Sequence, residues 1–334
     1  MTTPLHDQAI QHAIEAVILA ADACRRVQQR RITPQTLEKR DKSPVTVADF
    51  AAQALVCHHL AENASVTAVV GEESADALRS EDEAATRAAV TEEVSESLGI
   101  ECSEENVLGW IDRGSAAIEP GKGTYWTLDP IDGTKGFLRR EQYAVALGLI
   151  EDGRVVLGVL ACPNLEMPDA PGTGTLLAAR RGQGVIRYSL AEDGSLDAHD
   201  LRATDDTTPR FCESVESAHS DQDQAAAIAQ RIGITAPPYR IDSQAKYASL
   251  AAGLASVYLR MPTRPGYREK IWDHAAGSIV VEEAGGTVTD ILGKPLDFSL
   301  GRELTANRGI AASVDFDHAS IINAVTSVAT LPSE

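Results

Sequence analysis

Between residues 7 and 31, apolar side chains fall at Ile10, Ala13, Ile14, Val17, Ala21, Cys24 and Val27. That three-and-four spacing is one face of an amphipathic helix. His12 lies on this helix and reads as structural rather than as a ligand. Arg25, Arg26, Arg30 and Arg31 near the helix end complement its negative pole. After a loop, Ser43-Pro44 breaks the chain, which predicts a second helix from near Ala48 through Leu60. Asp49 then falls in a first helical turn, where a solvated side chain is the ordinary outcome. Residues 66–70 are β-rich and end in Gly71-Glu72-Glu73-Ser74, a strand presenting two glutamates at its tip. The segment 76–117 is acidic and alanine-rich. It predicts a solvated helical insertion over one edge of the domain, with a lid or regulatory role as the alternative.

The period then changes. Residues 143–162 read as two strands joined at Glu151-Asp152-Gly153, and 175–180 with 185–188 as a further hairpin around Gly182-Gln183-Gly184. The first part is therefore helices on a largely antiparallel sheet. The polar, turn-rich stretch 191–209 marks a boundary, with 205–209 as the linker. Beyond it come strand 211–215, helix 221–232, strand 239–241, helix 244–253 and strand 256–260, an order that implies a sheet with parallel character. Lys270-Ile271-Trp272-Asp273 opens a helix stopped by Gly285-Gly286, with Asp273 in its first turn. Residues 290–297 fit a hairpin, 309–313 a strand and 318–329 a closing helix. Two domains are predicted: 1–208, of α+β type and bearing most of the candidate ligands, and 209–334, of α/β type.

Composition narrows the function classes. With 43% hydrophobic and 24% charged residues in 334, the chain is an ordinary globular protein large enough for two cores. Residues 16–21 form an apolar run too short to span a membrane, and the N-terminus lacks a secretory pattern. Five cysteines, scattered and odd in number, suit a reducing, cytoplasmic setting. A net charge of −19 argues against nucleic acid or an anionic membrane as partner. Much of it is local, with twelve acidic residues between Glu72 and Glu105 against Arg79 and Arg87.

The densest chemistry is in Tyr125-Trp126-Thr127-Leu128-Asp129-Pro130-Ile131-Asp132-Gly133-Thr134-Lys135-Gly136-Phe137. Pro130 fixes its φ and lacks an N–H, while Gly133 admits a conformation closed to most residues. Asp129 and Asp132 are thereby held close, with the Ile131 carbonyl between them. Two carboxylates, a carbonyl and the Thr134 hydroxyl are the oxygen set that hard cations such as Mg²⁺ prefer. The same residues also make an ordinary turn. A covalent aspartyl-phosphate is the sharper rival, although the Asp-x-x-Asp spacing speaks against it. Further carboxylates weigh toward metal: Asp49, Glu72, Asp129, Asp132 and Asp273 each sit at an element end. Five like charges converge only where cations offset them. In the second part, His219, Ser243, Lys246 and Arg260 lie at strand ends, as surface residues or together as donors to a phosphate-bearing ligand.

The segments Asp41-Lys42-Ser43-Pro44-Val45-Thr46-Val47-Ala48-Asp49, Gly71-Glu72-Glu73-Ser74, 126–137 and Trp272-Asp273-His274-Ala275-Ala276-Gly277 resemble the inositol-monophosphatase-like superfamily of Mg²⁺-dependent, lithium-sensitive phosphatases. Asp242-Ser243-Gln244-Ala245-Lys246-Tyr247, Val257-Tyr258-Leu259-Arg260 and Tyr267-Arg268-Glu269-Lys270 are similar to its 3′(2′),5′-bisphosphate nucleotidase branch. The resemblance covers nearly the whole chain and is weakest at 76–105. Gln222 stands where the family pattern has a second histidine after His219. The resemblance implies a layered αβαβα fold and hydrolysis of 3′-phosphoadenosine 5′-phosphate to AMP by metal-activated water, without a covalent intermediate. Glu72, Asp129 and the Ile131 carbonyl would bind one Mg²⁺, and Asp129, Asp132 and Asp273 a second, with a third possible near Glu72. Thr134, hydrogen-bonded to Asp49, would orient the water, and the Gly133 and Thr134 N–H groups would meet a phosphate oxygen. His219, Ser243, Lys246 and Arg260 would hold the nucleotide and its other phosphate. The implied partner is a small nucleotide, and the implied assembly a monomer or weak oligomer. The alternatives are a phosphatase of the same fold for inositol phosphates or sugar bisphosphates, and a non-catalytic nucleotide sensor.

Overall fold

The computed structural model describes residues 4–32, 43–215, 222–262 and 264–328. Helix α1 (Pro4–Arg31) buries Ala13, Val17, Ala20, Ala21, Cys24 and Val27, and its small side chains let α2 (Ser43–Asn63) lie close alongside. The second helix starts at Ser43 rather than near Ala48. Pro44 fits the first turn because the N–H it lacks would have no intrahelical acceptor there. Asp49 consequently lies in the second turn and is buried, not solvated.

A seven-stranded sheet follows the chain in order: β1 (Val69–Gly71), β2 (Thr124–Asp132), β3 (Ala144–Glu151), β4 (Arg154–Cys162), β5 (Gly174–Arg180), β6 (Gly184–Leu190) and β7 (Leu196–His199). The β1–β2 pair is parallel and the remainder antiparallel. Both predicted hairpins form, the first through Asp152 and Gly153 at positive φ. The stretch read as a boundary contains β7. Between β1 and β2, α3 (Ala84–Leu98) and α4 (Glu104–Asp112) correct the picture of a solvated insertion. Leu78, Val90, Val94, Val107 and Ile111 belong to the same core as α1 and α2, and Glu93 meets Arg26 at 2.9 Å.

After α5 (Thr134–Leu138) and this sheet, the chain builds a mixed five-stranded sheet in the order β11-β12-β10-β8-β9. Its members are β8 (Phe211–Glu213), β9 (Tyr239–Arg240), β10 (Val257–Arg260), β11 (Thr287–Thr289) and β12 (Ile310–Ser313). Strand β8 is parallel to β9 and β10, while β12 runs antiparallel to its neighbours. The helices are α6 (Gln222–Arg231), α7 (Ala245–Ala251), α8 (Ala275–Glu283) and α9 (His318–Val328). No hairpin forms at 290–297. The Asp290 carboxylate instead accepts from the N–H groups of Leu292, Lys294 and Arg308 at 2.9, 2.9 and 3.2 Å, fixing a long connection to β12.

Alternation along the strands sets the layers. Val145, Leu147 and Leu149 of β3 face α1 and α2, whereas Ala144, Ala146 and Ile150 join Ala248 of α7 and Ile279 of α8. Tyr258, Ile310 and Ala312 close this middle layer from the second sheet, whose Val257, Leu259 and Ala311 pack outward on Ile228 of α6 and Ile321 of α9. The architecture is therefore helix, sheet, helix, sheet, helix. Gly158 makes the middle contact possible, since a Cβ there would stand 2.5 Å from Ile279 Cγ2.

Candidate metal-binding active site

Strand β2 ends in a bulge: Asp129 pairs with Ala146 and Asp132 with Ala144, leaving one extra residue on β2. Pro130 is accommodated there because a bulge interrupts the ladder in which its nitrogen could not donate. Gly133 then turns the chain at φ 92°, and a Cβ on it would lie 2.8 Å from Ser243 Cβ. Ser243 itself is held at φ 65°, a costly conformation for serine, just before α7. The next residue repays that strain: Gln244 N donates to Asp132 Oδ2 at 2.6 Å, and its side chain bridges the Trp272 carbonyl and the Gly277 N–H.

The strand that delivers Glu72 is tied down from two sides. Gln53 of α2 accepts from Glu73 N at 3.0 Å and donates to Glu73 O at 2.7 Å. Arg302 donates to Gly71 O at 2.6 Å while its guanidinium stacks 4.8 Å from the Trp272 ring. The residues preceding Glu72 and Asp273 are thereby joined through one arginine. Asp273 lies in a turn just ahead of α8, not in its first turn as the sequence predicted, because His274 departs from helical φ.

These segments line one cleft of about 230 Å³, walled by Glu72, Asp129, Ile131, Asp132, Gly133, Thr134, Ser243, Lys246, Arg260 and Asp273. Its electrostatics are those of crowded carboxylates. Glu72 opens onto the cleft, yet burial of its carboxyl, Glu73 and Asp132 push it up to about 7. Burial and Asp132 likewise push Asp273 up to about 7, against the opposing pull of His274 and Arg260. Burial raises Asp129 well above the carboxylate range, and Glu72, Asp132, Asp273 and Asp49 add to it. Asp49 is raised by burial and by Glu73 and Glu72. It stands behind those glutamates rather than on the cleft wall. Among the described residues no hydrogen bond joins it to Thr134, which is exposed. His219 lies outside the described residues.

Two cations share the cleft with these carboxylates. Lys246 is buried, its Nζ donating to Ser243 O at 3.2 Å and lying 5.4 Å from the Tyr258 ring centroid. Arg260 Nε meets Glu269 Oε2 at 2.8 Å, and its Nη2 stands 3.9 Å from Asp273 Oδ2. Glu269 in turn contacts His274 Nε2 at 3.1 Å, whose Nδ1 is 2.8 Å from the Tyr247 hydroxyl. Gln244 and Glu269 were inside recognisable motifs, but no role could be given them from the sequence. Arg302 carried no sequence signal.

The donor set fits a hard divalent cation. It is all oxygen, it gathers more acid than two neighbouring cations offset, and Asp129 Oδ1 is buried without a hydrogen-bond partner among the described residues. Fold and cleft together define an αβαβα protein whose acidic cleft also holds two cations. The chain belongs to the inositol monophosphatase family, whose profile it matches over residues 4–329 and which is generally metal-dependent. It is 45% identical over 323 residues to a 3′(2′),5′-bisphosphate nucleotidase of Emericella nidulans, covering 89% of this chain and 91% of the relative. It is 43% identical to a Schizosaccharomyces pombe protein of the same name, covering 96% of each. In three dimensions it resembles CysQ from Bacteroides thetaiotaomicron, a bacterial member of the family, with TM-score 0.62, 20% identity and coverage of 93% and 98%.

Proposed function

We propose that the chain is a 3′(2′),5′-bisphosphate nucleotidase that hydrolyses 3′-phosphoadenosine 5′-phosphate to AMP and phosphate, and 3′-phosphoadenylyl sulfate by the same chemistry. The observation that carries this reading is a single cleft in which Glu72, Asp129, Asp132 and Asp273 face Lys246 and Arg260. The fungal relatives bearing that name support it across almost the full length of both chains.

In this reading Glu72, Asp129, the Ile131 carbonyl, Asp132 and Asp273 hold two or three Mg²⁺ ions. Mg²⁺ bound there supplies Lewis-acid charge that offsets the charge on the phosphate and on the water attacking it. Thr134 orients that water through its hydroxyl; the family pattern pairs it with Asp49 as proton acceptor, a contact not formed among the described residues, and no covalent enzyme intermediate forms. The Gly133 and Thr134 N–H groups receive an oxygen of the scissile phosphate. Ser243, Lys246 and Arg260 hold the second phosphate, and His219 contacts the nucleotide. A cleft of about 230 Å³ is smaller than pockets that enclose a drug-sized ligand, typically about 300 Å³ and upward, so the adenine lies toward its mouth. The domain reading places the metal wall mainly in 1–208 and the nucleotide wall in 209–334. Among the described residues no helix is long and apolar enough to cross a membrane. In this reading the protein works in the cytoplasm, which its five buried, unbridged cysteines support.

Phosphate release from a substrate panel tests the assignment. Turnover of 3′-phosphoadenosine 5′-phosphate is expected to exceed that of inositol phosphates and sugar bisphosphates. The reverse order would make the chain a phosphatase of the alternative class.

A further inference from the structure

A second group of ligating side chains lies away from the cleft, where α1 meets α2. His12 and Glu15 are three residues apart on α1, and His59 comes from α2. Glu15 Oε2 is 3.4 Å from His12 Nδ1 and 3.3 Å from His59 Nε2. One ligand atom of each residue lies within 4.8 Å of both others. A tetrahedral Zn²⁺ with bonds of about 2.0–2.1 Å separates its ligands by about 3.3–3.4 Å. Two of the three edges of such a site are thus already at length.

Two further observations point to an ion. His59 Nε2 is buried and, apart from its 3.3 Å approach to Glu15 Oε2, has no partner among the described residues. Gln11 Nε2 donates to Glu15 Oε1 at 2.8 Å, which fixes that carboxylate with Oε2 toward both histidines. Outer-shell support of this kind is what orients a ligating carboxylate.

We propose that His12, Glu15 and His59 form a Zn²⁺ site with a fourth position open to solvent, and that the ion staples α1 to α2. The reading of His12 as merely structural is thereby replaced. Two imidazoles and a carboxylate favour a borderline transition ion, whereas the all-oxygen cleft favours Mg²⁺, so the two sites select different metals. His59 follows Asp49 by ten residues on α2, about 15 Å along the helix at ~1.5 Å per residue, so the staple is separate from the chemistry. An ion bound by the folded chain alone stabilises it by mass action.

Co²⁺ added to the intact protein in excess Mg²⁺ tests this, since tetrahedral Co²⁺ gives intense visible bands that octahedral Co²⁺ does not. One equivalent is expected to produce these bands, and Zn²⁺ to displace it and raise the Tm. His59→Gln and His12→Gln should each abolish the bands and the Tm rise while leaving Mg²⁺-dependent turnover unchanged. Asp132→Asn should retain both. Absence of the bands in the intact protein, their survival in the histidine variants, or their loss in Asp132→Asn overturns the proposal. Circular dichroism of the metal-free variants establishes folding, and Glu15→Gln, at the exposed member, decides the matter should either histidine variant fail to fold.

Discussion

Lys246 is buried among Ser243, Tyr258 and Arg260, and burial holds its ammonium below the usual amine range. A cation in that position is costly unless an anion meets it. Lys246→Ala is therefore expected to raise KM for 3′-phosphoadenosine 5′-phosphate by ~10- to 100-fold, the worth of a charged hydrogen bond, and to leave a nucleoside monophosphate nearly unaffected. Equal effects on both substrates in steady-state kinetics would contradict its role at the second phosphate. Asp49→Asn keeps the side-chain shape in the second turn of α2 but removes the carboxylate proposed as proton acceptor. It should lower kcat by ~100-fold or more with KM little changed, within the range for a positioned acid or base; an unaltered kcat would remove Asp49 from the mechanism. Residues that carry charge into the cleft were legible because Asp, Glu, Lys and Arg stand out at element ends. Gln244 was not, because its partner Asp132 is 112 residues away and nothing local announces the bond.

Among the elements, the hairpins and the two long helices follow directly from period-two and period-three-to-four patterns. The misreadings have physical causes. Ser43-Pro44 reads as a break in the sequence, yet proline is as suited to a helix start as to a turn. The turn residues of 290–297 suggested a hairpin, but Asp290 satisfies the backbone N–H groups that a second strand would otherwise pair. In α3 and α4 the acidic, alanine-rich composition hid the apolar positions that matter. Val90, Val94, Val107 and Ile111 are almost wholly buried. At about 1.5–3 kcal/mol for each such side chain, their loss rivals the whole stability of a domain, about 5–15 kcal/mol. Deleting 84–112 is therefore expected to yield no folded protein by circular dichroism and gel filtration, and a compact, active deletion would show that the segment is the dispensable insertion the sequence suggested.

For the molecule as a whole, like charge in the cleft ties stability to pH. Glu72 and Asp273, with ordinary values of 4.5 and 3.8, are both pushed up to about 7. Raised carboxyls keep protons that the unfolded chain releases, so their contribution is complete below the ordinary values and is lost as pH climbs through 7. In the proposed reading Mg²⁺ would take the place of those protons. The rise in Tm on adding Mg²⁺ is thus expected to be small near about pH 5 and to grow toward about pH 8, where the carboxylates are bare. A gain in Tm independent of pH would mean that the ion binds elsewhere. The layered architecture was legible from element order and from resemblance, whereas the convergence of Glu72, Asp129, Asp132 and Asp273 on one cleft, with Asp49 behind it, could only be supposed from their positions at element ends.

That convergence is tested most directly by titrating Mg²⁺ into chelator-treated enzyme while following phosphate release from 3′-phosphoadenosine 5′-phosphate, for the natural chain and for Asp132→Asn. The account predicts no release without the ion, recovery in the natural chain, and a loss of more than ~100-fold in the variant, with the Tm of the metal-free variant unchanged, beyond what removing a merely supporting group costs a metal site. Release that persists in the chelator, or a variant that turns over at near-normal rates, would contradict it.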